Sequence, residues 1–298
     1  MVTNFRGVAV HRGVAFIGKL RDAFFARFFN ARTGLVYCMG IFCALLARGA
    51  VASNEFDLSV FAEGARYDST ESLNGSVFDR EGGVLRGAYL HGDYLHGPWR
   101  FGVNLRELSN MIEYRGQNQF GIPIASNTDL HYSQTGATVA YQPFSAFPVF
   151  AGLAVGTRGV DRTIQATPIT QALHETLRQQ EWGPLLGFDW KPTQRLSIVA
   201  QAQRMTSSRS TLAVDFLGSY EPGTLNLPHD VSRTLQVSAS YDINATVALV
   251  VEANGEHLSP AVSPSAVLMK NGEPVGLYNY PGSVQSIRSL GVGLRIRW

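Results

Sequence analysis

The sequence predicts an all-β fold, a transmembrane antiparallel up-and-down β-barrel of about 10 strands. Three observations carry that prediction. Beyond residue 53, apolar residues recur at every second position and no long segment repeats them at helical spacing. The connections between these alternating segments are short and long by turns. Hydrophobic residues make up 45 % of the chain and charged residues only 16 %, against roughly 25 % charged in a water-soluble domain. A surface that lies partly out of water suits such a composition.

The first 52 residues stand apart from the rest. They hold Arg6, Arg12, Lys19, Arg21, Arg27, Arg32 and Arg48 against one acid, Asp22, so the remainder is net acidic although the whole chain is +2. The overall charge therefore implies no nucleic-acid partner. Gly34–Ala47 is an uninterrupted apolar run of 14 residues, short of the roughly 20 that a spanning helix needs. A basic region precedes it and Ala50, Val51 and Ala52 follow it. That order predicts a secretory signal peptide over 1–52, cleaved near Ala52–Ser53. The Arg-rich, acid-poor leader also has features of an organellar transit peptide, against which the short apolar core and the small residues weigh. The long basic region leaves open a start downstream of Met1. Cys38 and Cys43 both fall in the leader, so the mature chain has no disulfide, no cysteine-based metal site and no thiol nucleophile.

Residues 53–298 are then the barrel. Ten strands are predicted, at 55–67, 83–95, 99–113, 129–142, 148–162, 181–191, 195–206, 231–242, 246–258 and 284–298. In the ninth, Val247, Leu249, Val251 and Ala253 share one face, and Glu252, Asn254 and Glu256 the other. In the third, Trp99, Phe101, Val103 and Leu105 oppose Arg100, Asn104 and Arg106. The connections at 96–98, 143–147, 191–194 and 243–245 are short; those at 68–82, 114–128, 163–180, 207–230 and 259–283 are long. Eleven of the 13 prolines sit in connections. Pro148 begins a strand, and Pro184 intrudes on one and predicts a bulge. In lipid every backbone N–H and C=O must be paired, which a closed sheet achieves without an edge. Trp99, Tyr114, Tyr141, Trp182, Trp190 and Tyr241 suit interfacial girdles, which a soluble sandwich would not need.

The last strand is the most specific segment. Leu290, Val292, Leu294, Ile296 and Trp298 take one phase, and Gly291, Gly293, Arg295 and Arg297 the other. A terminal aromatic preceded by alternating apolar residues resembles the insertion signal of Gram-negative outer-membrane β-barrel proteins. With the leader and the strand pattern, the resemblance spans nearly the whole chain at superfamily level. It implies the outer membrane of a Gram-negative bacterium, with outer-membrane lipid and lipopolysaccharide as surroundings and the barrel assembly machinery as a partner. Both termini would be periplasmic and the long connections extracellular.

The candidate chemistry is sparse. Glu63, Arg100, Arg106, Asp189, Glu252, Glu256, Arg295 and Arg297 take the inner phase of their strands. Barrels of about eight strands are just filled by side chains and an aqueous channel appears near sixteen, so these residues predict a plugged or very narrow lumen. Asp129, His131 and Ser133, in "DLHYS", share a face at the outer end of the fourth strand. A histidine beside a serine can serve as its general base, and His-x-Ser on a strand resembles outer-membrane phospholipase A and the lipid A deacylases. Those families orient the histidine from the adjoining strand. A hairpin centred on Ser145 sets Asp129 opposite Asp161, His131 opposite Gly159 and Ser133 opposite Thr157, leaving no carboxylate across from the histidine. Leu130 and Tyr132 suggest that His131 points inward; Ala137, Val139 and Tyr141 suggest outward. "DLH" also resembles the Asp–His pair of the omptin proteases, but no second pair of rim aspartates matches. "YRGQNQFGIPI" (Tyr114–Ile124) has the glycines and proline of a solvated loop. "HETLRQQEW" (His174–Trp182) suggests a short surface helix. No metal-ligand or cofactor spacing occurs. The expectation is a small outer-membrane barrel, a narrow channel or an envelope or export accessory protein. A rim enzyme (lipid hydrolase or omptin-like protease) and a surface-loop adhesin or receptor are the alternatives.

Overall fold

A computed structural model describes residues 54–73, 76–117, 121–143, 148–259 and 265–298. The leader with its two cysteines, the cleavage position and the hairpin centre at Ser145 lie outside the described residues. The described chain forms thirteen strands: β1 (Asn54–Leu73), β2 (Ser76–His96), β3 (Trp99–Gln117), β4 (Pro123–Tyr141), β5 (Val149–Ile164), β6 (Leu173–Trp190), β7 (Leu196–Asp215), β8 (Gly223–Leu227), β9 (Val231–Asp242), β10 (Val247–Ser259), β11 (Ser265–Lys270), β12 (Glu273–Asn279) and β13 (Gly282–Arg297). Ten of them close a barrel. The order β6-β5-β4-β3-β2-β1-β13-β10-β9-β7 is completed by pairing of β6 with β7, and every pairing is antiparallel.

Alternation decides which side each residue faces. Val60, Val103, Leu153, Val155, Leu186, Leu235, Leu249, Leu290 and Leu294 are exposed on the outer wall as an apolar belt. Tyr94, Trp99, Tyr141, Trp190, Tyr241 and Trp298 ring the short-turn end, and Trp182 is exposed midway along β6. Tyr114 does not join this girdle. It faces inward, is 7 % exposed and donates to Asp79 at 3.3 Å. The terminal strand is held by its neighbour: Trp298 N–H donates to the Phe56 carbonyl at 2.9 Å, and the two rings pack 5.4 Å apart. Close approach of β2 and β3 requires Gly87, where a Cβ would lie 1.8 Å from the Glu107 carbonyl oxygen.

The ten strands expected from alternation are present, but all five long connections are largely strand. β1 and β2 run on together to Leu73 and Ser76, and β3 and β4 pair out to Gln117 and Pro123. His174–Trp182 is part of β6, paired on both sides, and forms no helix. Its inward residues are Glu175, Leu177, Gln179 and Glu181, so the polar inner face conceals the alternation. Pro184 pairs with Leu153 on β5, while the ladder to β7 skips Gly183 and Pro184 and its register shifts between Gln180 and Glu181. In the last connection, Asn271 (φ 53°) and Gly272 (φ 79°) turn β11 into β12, as expected of a two-residue turn with both central φ positive.

Candidate functional site

Two regions collect the ionisable side chains: the lumen and the outer wall just above the apolar belt. In the lumen, the inward residues of distant strands meet across the barrel. Nearest the short-turn end, Arg297 contacts Asp57 at 3.3 Å and Asp242 at 3.4 Å, while Arg295 donates to Ser59 (3.3 Å) and Ser240 (3.2 Å). Arg100 on β3 reaches Asp189 on β6 at 3.2 Å and Asp93 at 3.7 Å, with its guanidinium over the Phe150 ring. Higher up, Arg106 and Glu63 pair at 3.0 Å with side chains only 2 % and 3 % exposed, and Arg106 stacks over Tyr89. Glu252 is buried on the same inner wall. Gln236 on β9 donates to the Tyr89 hydroxyl on β2 at 3.3 Å.

Two further arginines close the upper half. Arg158 on β5 contacts Glu256 on β10 and Glu181 (3.2 Å), and Tyr132 on β4 donates to the same Glu256 at 3.0 Å. Arg162 gathers Glu71 (2.6 Å), Glu81 (3.0 Å) and Glu175. Thr128 donates to Glu81 at 2.8 Å and Tyr278 to Glu175 at 2.6 Å. Between and above these groups packs an apolar cluster that includes Tyr67, Leu85, Leu108, Leu130, Leu212, Leu225, Tyr280 and Ile287. The interior therefore resembles a protein core with ion pairs strung through it. Sequence reasoning missed Arg158 and Arg162 because each sits among residues that alternate polar with polar or small. Their signal is an inward-phase arginine beyond the end of the apolar belt.

The second region holds Asp129, His131 and Ser133. All three face outward, since Thr128, Leu130 and Tyr132 are the buried members of β4. The β4–β5 register differs by two residues from that expected: Asp129 opposes Thr163, His131 opposes Asp161, and Ser133 opposes Gly159. A carboxylate does lie across from the histidine. His131 Nδ1 is 3.9 Å from Asp161 and Nε2 is 2.7 Å from Glu107 on β3. Arg178 on β6 continues the chain to Asp161 at 2.9 Å. A Cβ at Gly159 would sit 2.6 Å from the Ser133 hydroxyl. Both ring nitrogens of His131 thus face carboxylates. Because Asp129 and His131 point away from the lumen, no residue of the opposite wall can converge with them, as an omptin-like arrangement would need. Among the described residues no group of three or more His, Cys, Asp or Glu side chains is arranged to hold a metal. A depression of about 700 Å³ at the rim, between the β5–β6 connection and Tyr220 and Lys270, has neutral walls apart from the lysine.

A closed ten-strand barrel with an apolar outer belt and extended strands at one end is the fold of Gram-negative outer-membrane β-barrels. No protein-family model matches the chain, and no characterised protein matches it in sequence. Among solved structures, the outer membrane protease OmpT from Escherichia coli is similar with a TM-score of 0.56 and 9 % identity, over 84 % of this chain and 99 % of that one. The translocator domain of the autotransporter NalP from Neisseria meningitidis gives a TM-score of 0.41 at 10 % identity, over 90 % and 98 % of the two chains. Neisserial surface protein A gives 0.35 at 12 %, over 80 % and 96 %. These likenesses are of fold.

Proposed function

We propose that the protein is a closed, non-conducting outer-membrane barrel, an envelope accessory protein that works through its extracellular rim and outer wall. The observation behind this reading is the set of polar contacts spanning the lumen from β5 to β10, β4 to β10, β3 to β6 and β5 to β1. A hydrated solute would have to break buried ion pairs whose separation costs several kcal/mol each. The narrow-channel function expected from the sequence is therefore the less favoured half of that expectation. Liposomes carrying the purified protein should retain trapped ions and small sugars as protein-free liposomes do. Release that scales with protein content would overturn the reading. We further infer delivery by a secretory signal cut near Ser53, residence among outer-membrane lipid and lipopolysaccharide, and recognition of β13 by the barrel assembly machinery. The envelope fraction from which that protein is purified should yield a mature chain beginning near Ser53 by mass spectrometry.

A lipid hydrolase is the second reading, favoured by the position of Asp161 opposite His131 on a wall that faces lipid. The engagement of both imidazole nitrogens weighs against it, so the group is taken as an ion-paired ladder between strands. Ser133→Ala should then cost no more than about 0.5–1.5 kcal/mol, the net value of one hydrogen bond. The wild-type protein in mixed micelles should hydrolyse no phospholipid or acylated glycolipid. Hydrolysis that disappears in Ser133→Ala would establish the enzyme instead.

A further inference from the structure

The outer wall carries a second set of charges that the closed lumen does not explain. At the level where the apolar belt ends, outward residues on six consecutive strands form a basic arc: Arg86 on β2, Arg66 on β1, Arg288 on β13, His257 on β10, Arg233 on β9 and Arg204 on β7, all exposed. The register places like charges face to face. Arg66 is directly opposite Arg288, and Arg233 is directly opposite both Arg204 and His257. One outward step below them lie Gly64, Ala88, Ala202, Leu235, Gly255 and Leu290, none of them charged. Like charges directly opposite on a sheet destabilise it. The remaining four strands show the contrasting arrangement at the same height, where Glu107, His131, Asp161 and Arg178 neutralise one another. In the basic arc only Arg66 has an ion-pair partner among the described residues, Asp68 at 3.0 Å, and that pair is exposed.

We propose that this arc binds the phosphate groups of a phosphorylated glycolipid in the outer leaflet of the membrane. The inference rests on the barrel's membrane-embedded fold and is independent of whether its lumen conducts. Directly opposed side chains on neighbouring strands stand roughly 4.5–5.5 Å apart at Cβ, a spacing at which two guanidiniums can grip one phosphate. Arginine supplies the planar, multidentate donors that phosphate recognition uses. A bound phosphate turns each arginine pair from repulsive to attractive. A lipid is the occupant because the arc sits at the edge of the apolar belt, on the side of the extended strands, which in this fold is extracellular. Acyl chains would lie on the belt below. Gly64 and Gly255 flank the Arg66–Arg288 pair, and a Cβ on either would meet nothing within 4 Å, so the wall there is bare enough for a headgroup to approach the backbone.

The test is binding of diphosphorylated lipid A to the detergent-solubilised protein, followed by native mass spectrometry. The probes are that glycolipid, its enzymatically dephosphorylated form with the same acyl chains, and inorganic phosphate. The variants are Arg66→Gln with Arg288→Gln, Arg204→Gln with Arg233→Gln, and Arg115→Gln as a control above the arc. Heat-modifiable migration selects folded protein in every case. The proposal predicts at least tenfold weaker binding of diphosphorylated lipid A by each double variant, wild-type binding by Arg115→Gln, and at least tenfold weaker binding of the dephosphorylated form by the wild type. Equal binding of the two glycolipid forms, or unchanged binding by both double variants, would overturn it. Inorganic phosphate that competes at the same concentration as the lipid would show a site for the free anion and would equally overturn the lipid assignment.

Discussion

Arg162→Met should destabilise the barrel by about 3–5 kcal/mol, the cost of stripping the partner from a buried charge. Among the described residues Arg162 is the cation shared by Glu71, Glu81 and Glu175, and its removal leaves three carboxylates inside the upper barrel. Thr128 and Tyr278 would still donate to Glu81 and Glu175, but hydroxyl donors do not neutralise charge. The variant must protonate these acids or admit water, and both routes weaken the packing of Tyr67 and Tyr280 around them. Urea unfolding in lipid vesicles measures the effect through the midpoint and slope. Arg115→Met is the comparison: its pair with Glu113 has side chains 77 % and 72 % exposed, and such surface pairs are worth about 0–1 kcal/mol. Equal midpoints for the two variants would contradict the assignment of Arg162 to a buried cluster.

Arg106 and Glu63 should behave as a unit. Each single exchange, Arg106→Met or Glu63→Met, isolates a charge whose side chain is nearly inaccessible and should cost about 3–5 kcal/mol. The double exchange should recover most of that loss, because an isosteric apolar pair in a core is often neutral or better than the ion pair it replaces. Arg106 also lies over the Tyr89 ring, and a methionine can keep contact with that ring. The coupling energy from the double-mutant cycle is the readout. Additive losses would mean that the two side chains do not interact in the folded barrel.

The parts of this structure legible in the sequence are those where one face meets lipid. There the outward residue is apolar and the inward one polar or small, so alternation locates β3, β10 and β13 to within a few residues. Above the belt the outward face is polar and the inward face mixes charged with apolar residues, as in Glu175–Glu181 of β6 where only Leu177 of the inward residues is apolar, and alternation no longer separates strand from loop or helix. The hairpin of β11 and β12 carries a local signal inside 259–283, Asn271–Gly272, both at positive φ. The β4–β5 register shows a different limit. Shifting a strand by one residue exchanges its faces, but shifting it by two restores them. A pattern of faces therefore cannot distinguish Gly159 from Asp161 as the partner of His131. Of the candidate site, the phases of Glu63, Arg106 and Glu256 were readable from alternation. The convergence of Arg158 with Glu256 across the barrel depends on strand order and stagger, which no local pattern contains.

The central claim is that side chains from opposite walls close the lumen. Planar-bilayer recording of the wild-type protein at high salt tests it most directly. The account predicts a baseline without unitary steps at moderate voltage, in preparations whose heat-modifiable migration shows folded barrel. Reproducible unitary steps of constant amplitude from that same folded protein would contradict it.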